Sequence, residues 1–118
     1  MSGSSFRPLS CSEREVLEVL LAPDFPGKDE LVHQIEHCQV KVIDENGSLD
    51  FDVTDTVKAT HVKYAVPTEG EYEDSDGVMT HVLLHVAGDY ITMLDIYKEN
   101  LSRVIQLDPK KLRVFAYS

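Results

Sequence analysis

At Gln39 the spacing of apolar residues changes, and this change restricts the fold more than any other feature of the chain. Before it, apolar residues recur at helical intervals; after it, they recur at every second position. A chain that segregates helical from strand periodicity in this way points to an α+β architecture.

In the helical part, Ser12-Glu-Arg-Glu15 has the Ser-x-x-Glu spacing of a capping box, in which each side chain satisfies a free amide of the first turn. Val16, Leu17, Val19, Leu20 and Leu21 follow as an apolar face, with Arg14, Glu15 and Glu18 opposite, and Pro23 ends the segment. A second helix is predicted after Pro26-Gly27. It carries Leu31, Val32, Ile35 and Cys38 on one side and His33 and His37 on the other. Both helices are short and one-sided, so they need a sheet or each other to be stable.

The strand part opens with Val40 and Val42, then Asn46-Gly47, then Leu49, Phe51 and Val53. Asn-Gly suits a two-residue type I′ turn, because both residues tolerate positive φ. Such a turn pairs Val42 with Phe51 and Val40 with Val53 on one face, and Lys41 with Asp52 on the other. Residues 61–66 alternate again, with Val62, Tyr64 and Val66 together, until Pro67 stops them. Residues 78–86 and 90–97 form a second hairpin around Gly88-Asp89. Its two faces are predicted to carry Val82, Leu84 and Val86 on one side and Leu83, Leu94 and Ile96 on the other. Asp108-Pro109 opens a short helical turn, and residues 114–117 make a final strand. The expectation is one α+β domain over residues 6–118, preceded by a flexible lead of residues 1–5. Two N-terminal helices pack on an antiparallel, meander-like sheet of about five or six strands.

Composition enters through charge. The net charge is −10, of which residues 44–76 carry −8. That field repels nucleic acid and anionic membrane, and attracts basic proteins or cations. No apolar run approaches the roughly 20 residues that span a bilayer, and the start MSGSSFRPLS lacks the pattern of a signal peptide. The two cysteines, Cys11 and Cys38, form no disulfide framework, so a reduced, cytoplasmic setting is expected.

Several strings invite a chemical reading. Residues 69–76 hold five acids, Glu69, Glu71, Glu73, Asp74 and Asp76. Like charges of that density resist burial together, so the run is predicted to be a surface loop ahead of a strand that begins after Gly77. Asp74-Ser-Asp76-Gly77 echoes a calcium loop, but the positions that need carboxylates are Tyr72 and Leu83. The string from His33 to His37 matches the His-x-x-Glu-His of inverted zinc peptidases, without the large domain that supplies a third ligand. No specific calcium or catalytic zinc site is expected, and His33 and His37 are only a weak surface candidate for a metal ion. His81 and His85 lie four apart on a strand, too far to chelate together. Cys11 stands near a helix start with no base in sequence to activate it. No cofactor motif is present.

Residues 7–10 (Arg7-Pro-Leu-Ser10), Glu13-Arg14-Glu15 and LLAPDFPGKDEL at residues 20–31 resemble an uncharacterised family of small bacterial proteins, a domain of unknown function. Asp76-Gly77 leading to VLLHV, the Gly88-Asp89 hairpin and the ending LDPKKLRVF extend the likeness over residues 6–116. The resemblance brings no assigned activity and no site residues.

Two functional classes remain. One is a non-enzymatic protein-binding module, of immunity or antitoxin-like inhibitor type, that meets a basic partner through Asp50, Asp52, Glu69, Glu71, Glu73, Asp74 and Asp76. The other is a small enzyme or ligand-binding domain with a pocket between helices and sheet.

Overall fold

The computed structural model describes residues 6–53 and 57–118; the expected lead, residues 1–5, lies outside them. Helices α1 (Cys11–Leu20) and α2 (Lys28–Glu36) precede six strands. These are β1 (Cys38–Val42), β2 (Leu49–Val53), β3 (Thr68–Glu73), β4 (Met79–Ala87), β5 (Tyr90–Lys98) and β6 (Arg113–Ala116). They form one antiparallel sheet in the order β1-β2-β5-β4-β3-β6. The class is α+β, as the periodicities predicted. The meander is partial: β3, β4 and β5 are neighbours in turn, but β2 pairs with β5, and β6 returns to the outer edge of β3.

Helix α1 is capped two residues earlier than predicted. Ser10, not Ser12, accepts the Glu13 N–H (3.2 Å), and the Glu13 carboxylate accepts the Ser10 N–H (2.9 Å). Arg7 favours this frame, since its guanidinium donates to both Glu13 oxygens at 2.8 Å. The buried side is Val16, Leu17, Leu20 and Leu21.

On α2, Leu31 and Ile35 are buried as expected, but the third buried residue is Gln34, while Val32 is 38% exposed. The Gln34 amide donates to the carbonyls of Val57 (2.8 Å) and Asp89 (2.9 Å) and accepts the Ile91 N–H (3.0 Å). A polar residue on the buried side is thus matched by backbone groups of Val57, Asp89 and Ile91. Gly27 enters α2 with φ +90°, and a Cβ there would lie 2.3 Å from the Val62 side chain. Only glycine meets both conditions.

The first hairpin keeps its predicted faces but shifts register by two residues. Val42 lies opposite Leu49, Val40 opposite Phe51 and Cys38 opposite Val53. Lys41 faces Asp50 instead of Asp52. The turn has four residues, 44–47, closed by the Ile43 N–H donating to the Ser48 carbonyl (2.9 Å). Asp44 Oδ1 accepts the amides of Asn46 (2.9 Å) and Ser48 (3.1 Å), and only Gly47 takes positive φ, +88°. Asn46 also bonds across the fold. Its side-chain amide donates to Ile96 O (3.3 Å), and its oxygen accepts the Val104 N–H (2.8 Å).

The larger correction concerns residues 61–66, which are turns and bends, whereas the acid run predicted to be a loop is mostly β3. Thr68, Gly70 and Tyr72 are buried on the core side and Glu69, Glu71 and Glu73 point away from it. A Cβ on Gly70 would lie 3.0 Å from Leu112 and 3.3 Å from Leu20, so α1 approaches the sheet closely at this point. The alternation is real, but two of its inward positions are threonine and glycine.

The second hairpin forms around Gly88-Asp89. Val82 opposes Ile96 and Leu84 opposes Leu94, so, contrary to the predicted faces, Leu94 and Ile96 share the helix-covered face with Val82, Leu84, Val86 and Ile91, and of the residues assigned to the other side Leu83 alone points there. Pro109–Lys111 form a 3₁₀ turn capped by Asp108, followed by β6. The core lies between the two helices and one face of the sheet, and among the described residues the opposite face carries no helix.

Candidate functional site

The sheet register assigns the candidate carboxylates to that helix-free face. Across β3, β4 and β5, one row reads Glu69, Leu83, Asp95 and the next Glu71, His81, Tyr97. Asp50 on β2 opposes Met93, which opposes His85. Asp52 follows Asp50 by two residues and shares its side. Five of the seven predicted partner-binding acids, Asp50, Asp52, Glu69, Glu71 and Glu73, therefore stand on one surface.

Part of this charge is balanced locally. Arg113 donates to Glu71 at 2.7 Å, His81 Nε2 is 2.9 Å from Glu99, and the Tyr117 hydroxyl donates to Glu69. His85 Nε2 lies 3.8 Å from Asp95, and the Tyr97 ring stacks on His81 at 5.2 Å. Asp52 and Glu73 are exposed. The surface is thus a mosaic of acids, imidazoles and half-buried Leu83, Met93 and Tyr97.

Asp74 and Asp76 behave otherwise: both lie in the turn after β3, as the loop prediction had it, but Asp74 is buried where solvent exposure was predicted. Asp74 is buried against Lys98 at 3.2 Å, and Asp76 also accepts a hydrogen bond from the Lys98 ammonium. Asp74 further accepts the N–H groups of Ile105 (2.8 Å) and Gln106 (3.3 Å). Burial alone would raise its pKa; the amides of Ile105 and Ser75, the Lys98 ammonium and the Gln106 amide reverse this and hold it low. Asp76 is lowered chiefly by its hydrogen bond to Lys98. Burial would depress Lys98, but the bonds from Asp76 and Asp74 outweigh it and raise the amine above its ordinary value. A lysine held in this way remains an ammonium and offers no free amine for nucleophilic chemistry.

The cluster instead fixes a loop. Tyr72 donates its hydroxyl to Gln106 O, and Asn46 holds Val104. The 44–47 turn, the 74–78 turn and the 99–108 connection are thereby joined at one end of the sheet. Lys98 was absent from the sequence-based candidates, yet Leu94, Ile96 and Lys98 continue one period-two series, which was the available signal.

The remaining candidates lie apart. The His33 and His37 rings are 4.6 Å apart, and His37 Nδ1 is 3.0 Å from the His33 carbonyl. Among the described residues no three His, Cys, Asp or Glu side chains are grouped to hold a metal ion. Cys11 is exposed; the Cys38 thiol contacts Ile35 O at 3.2 Å, and burial raises its pKa. A cleft of about 230 Å³ between α1 and the sheet is lined by Val16, Leu94, Ile96 and Leu107, with Ser12 and Glu13 among its polar groups. It is smaller than the roughly 300–1,000 Å³ of ordinary small-molecule sites, and Glu13 is already engaged by Arg7 and Ser10. No helix among the described residues is long and apolar enough to cross a membrane.

No curated protein and no solved structure matches the chain. A family model described as a domain of unknown function, DUF6984, matches residues 6–108, most of the chain, which therefore belongs to that family.

Proposed function

We propose that this domain is a non-enzymatic protein-binding module whose helix-free sheet face docks a basic protein. The observation that carries the reading is the convergence of Asp50, Asp52, Glu69, Glu71 and Glu73 on that face. Asp74 and Asp76 are withdrawn from the docking set, because Lys98 engages both. Half-buried Leu83, Met93 and Tyr97 between the acids supply the apolar area that a charged surface alone lacks. A small acidic domain of this kind suits an inhibitor of the immunity or antitoxin type, which covers a basic surface on its target.

The test compares two triple variants of equal charge change. Asp50→Lys, Asp52→Lys and Glu73→Lys alter the sheet face; Glu15→Lys, Glu18→Lys and Glu36→Lys alter exposed helix positions. Tagged proteins are used for affinity capture at low salt from cells of the organism that encodes the chain. The reading expects a basic protein retained by wild type and by the helix variant and lost by the face variant. Equal loss in both variants would show simple ion exchange, and retention by both would exclude the face.

A further inference from the structure

The connection from β5 to β6 contains a residue that local rules disfavour. Lys98 to Leu101 make a turn closed by the Leu101 N–H donating to the Lys98 carbonyl at 2.9 Å. Leu101, its last residue, has φ +63°. This left-handed conformation favours glycine at the end of such a turn, and asparagine tolerates it far better than leucine does. The leucine gains no burial in exchange, since it is 85% exposed. Ile105, four residues on, is 61% exposed. The segment between them is fixed: Val104 is buried and its N–H bonds Asn46, while the Ile105 N–H bonds the buried Asp74. A strained, solvent-facing apolar side chain on an anchored loop signals function more than stability.

We infer that Leu101 is an anchor residue that inserts into an apolar cavity on a basic protein partner, with Ile105 packing at the cavity's edge. The partner's class follows from charge. The three joined loops, residues 43–48, 74–78 and 98–106, hold Asp44, Glu45, Asp74, Asp76 and Glu99 against Lys98 and Arg103, a net charge of −3. A cavity with a cationic rim complements this end of the molecule. A second copy of the chain would bring like charge against it, and so would an anionic membrane. The inference rests on the protein-binding reading and adds a second contact, next to Glu99 and Glu73 at the end of the acidic face.

The two contacts separate kinetically, because rim charges act mainly on association and a buried anchor acts on dissociation. The experiment places a photo-crosslinking amino acid at position 101, and at exposed Thr60 as control, in cells of the encoding organism. The crosslinked protein is identified, purified and its binding measured. Support is a basic protein crosslinked through an apolar cavity at position 101 and not at position 60. Leu101→Gly should then raise the dissociation rate by roughly tenfold or more, whereas Leu101→Met stays close to wild type. Since glycine relieves the strained φ, the same Leu101→Gly change should leave Tm unchanged or higher. Crosslinking to a second copy, to lipid, or equally at both positions would overturn the inference, as would an unchanged dissociation rate in Leu101→Gly. Loss of association in the Asp50, Asp52 and Glu73 variant with no effect of Leu101→Gly would remove the anchor and keep the sheet face. The reverse would remove the sheet face and keep the anchor.

Discussion

The Lys98 ammonium and the Asp74 carboxylate meet at 3.2 Å with side-chain exposures of 0% and 1%. This contact converts part of an apparently solvated acid run into an internal brace, and it determines how the domain responds to pH. Asp74 and Asp76 have folded pKa values below the ordinary aspartate value of 3.8. Their contribution to stability is therefore full above that value and is lost as pH falls through the folded pKa values. Lys98 is raised above 10.5, so its contribution is full below that value and is lost as pH rises through the folded pKa. Urea unfolding at stepped pH should show a midpoint that declines in strong acid and again in strong alkali. Lys98→Met should lower stability more than removal of any exposed lysine, because it leaves Asp74 buried without its cation. Adding Asp74→Asn to Lys98→Met should recover part of the loss, and a wholly additive double variant would deny the brace.

Gln34 supports a second prediction. Its side chain makes three hydrogen bonds that join α2 to the β4–β5 turn and to Val57. Gln34→Ala leaves the Ile91 N–H and two carbonyls without that partner, and should destabilise the domain by roughly 1–3 kcal/mol. Hydrogen exchange should accelerate at Ile91 first. A loss below about 0.5 kcal/mol would mean that water replaces the amide without cost.

The register of the first hairpin is open to a chemical test. Directly opposed strand residues bring Cα atoms to about 4.5–5.5 Å, within disulfide reach. In a background without Cys11 and Cys38, Lys41→Cys with Asp50→Cys should oxidise readily. Lys41→Cys with Asp52→Cys should not. Preferential oxidation of the second pair would restore the two-residue turn and its register.

Much of this fold was legible because apolar periodicity reports burial. Val82 and Leu84, together with Leu17, Leu20, Leu31 and Ile35, announced the core in sequence, and Gly88-Asp89 announced its turn, whereas Leu94 and Ile96 were assigned to the wrong face because the register across that turn is not legible locally. What escaped had physical reasons. Strand β3 was obscured because Thr68 and Gly70 occupy inward positions without being apolar, and the close approach of Leu20 and Leu112 leaves little room for a Cβ at position 70. The hairpin slipped by two because Asp44 and Asn46 make tertiary and turn contacts that outweigh the intrinsic preference of Asn-Gly. The acids of the sheet face were identified by charge alone; their common placement follows from pairings between β2, β3, β4 and β5 that no local pattern reports. Lys98 and Leu101 escaped because a fully buried lysine and an 85% exposed leucine invert the usual partition of charged and apolar residues.

The central claim, that the helix-free face binds a basic partner, is tested most directly by association kinetics with the purified partner over a range of salt. Charges on an exposed surface are screened over about 8 Å at physiological ionic strength. Wild type and the Glu15, Glu18 and Glu36 variant should associate fastest at low salt and slow together as salt rises. The Asp50→Lys, Asp52→Lys and Glu73→Lys variant should associate more slowly at low salt, show a flatter salt dependence, and converge with wild type at high salt. An association rate and salt slope equal to wild type in that variant would contradict the claim.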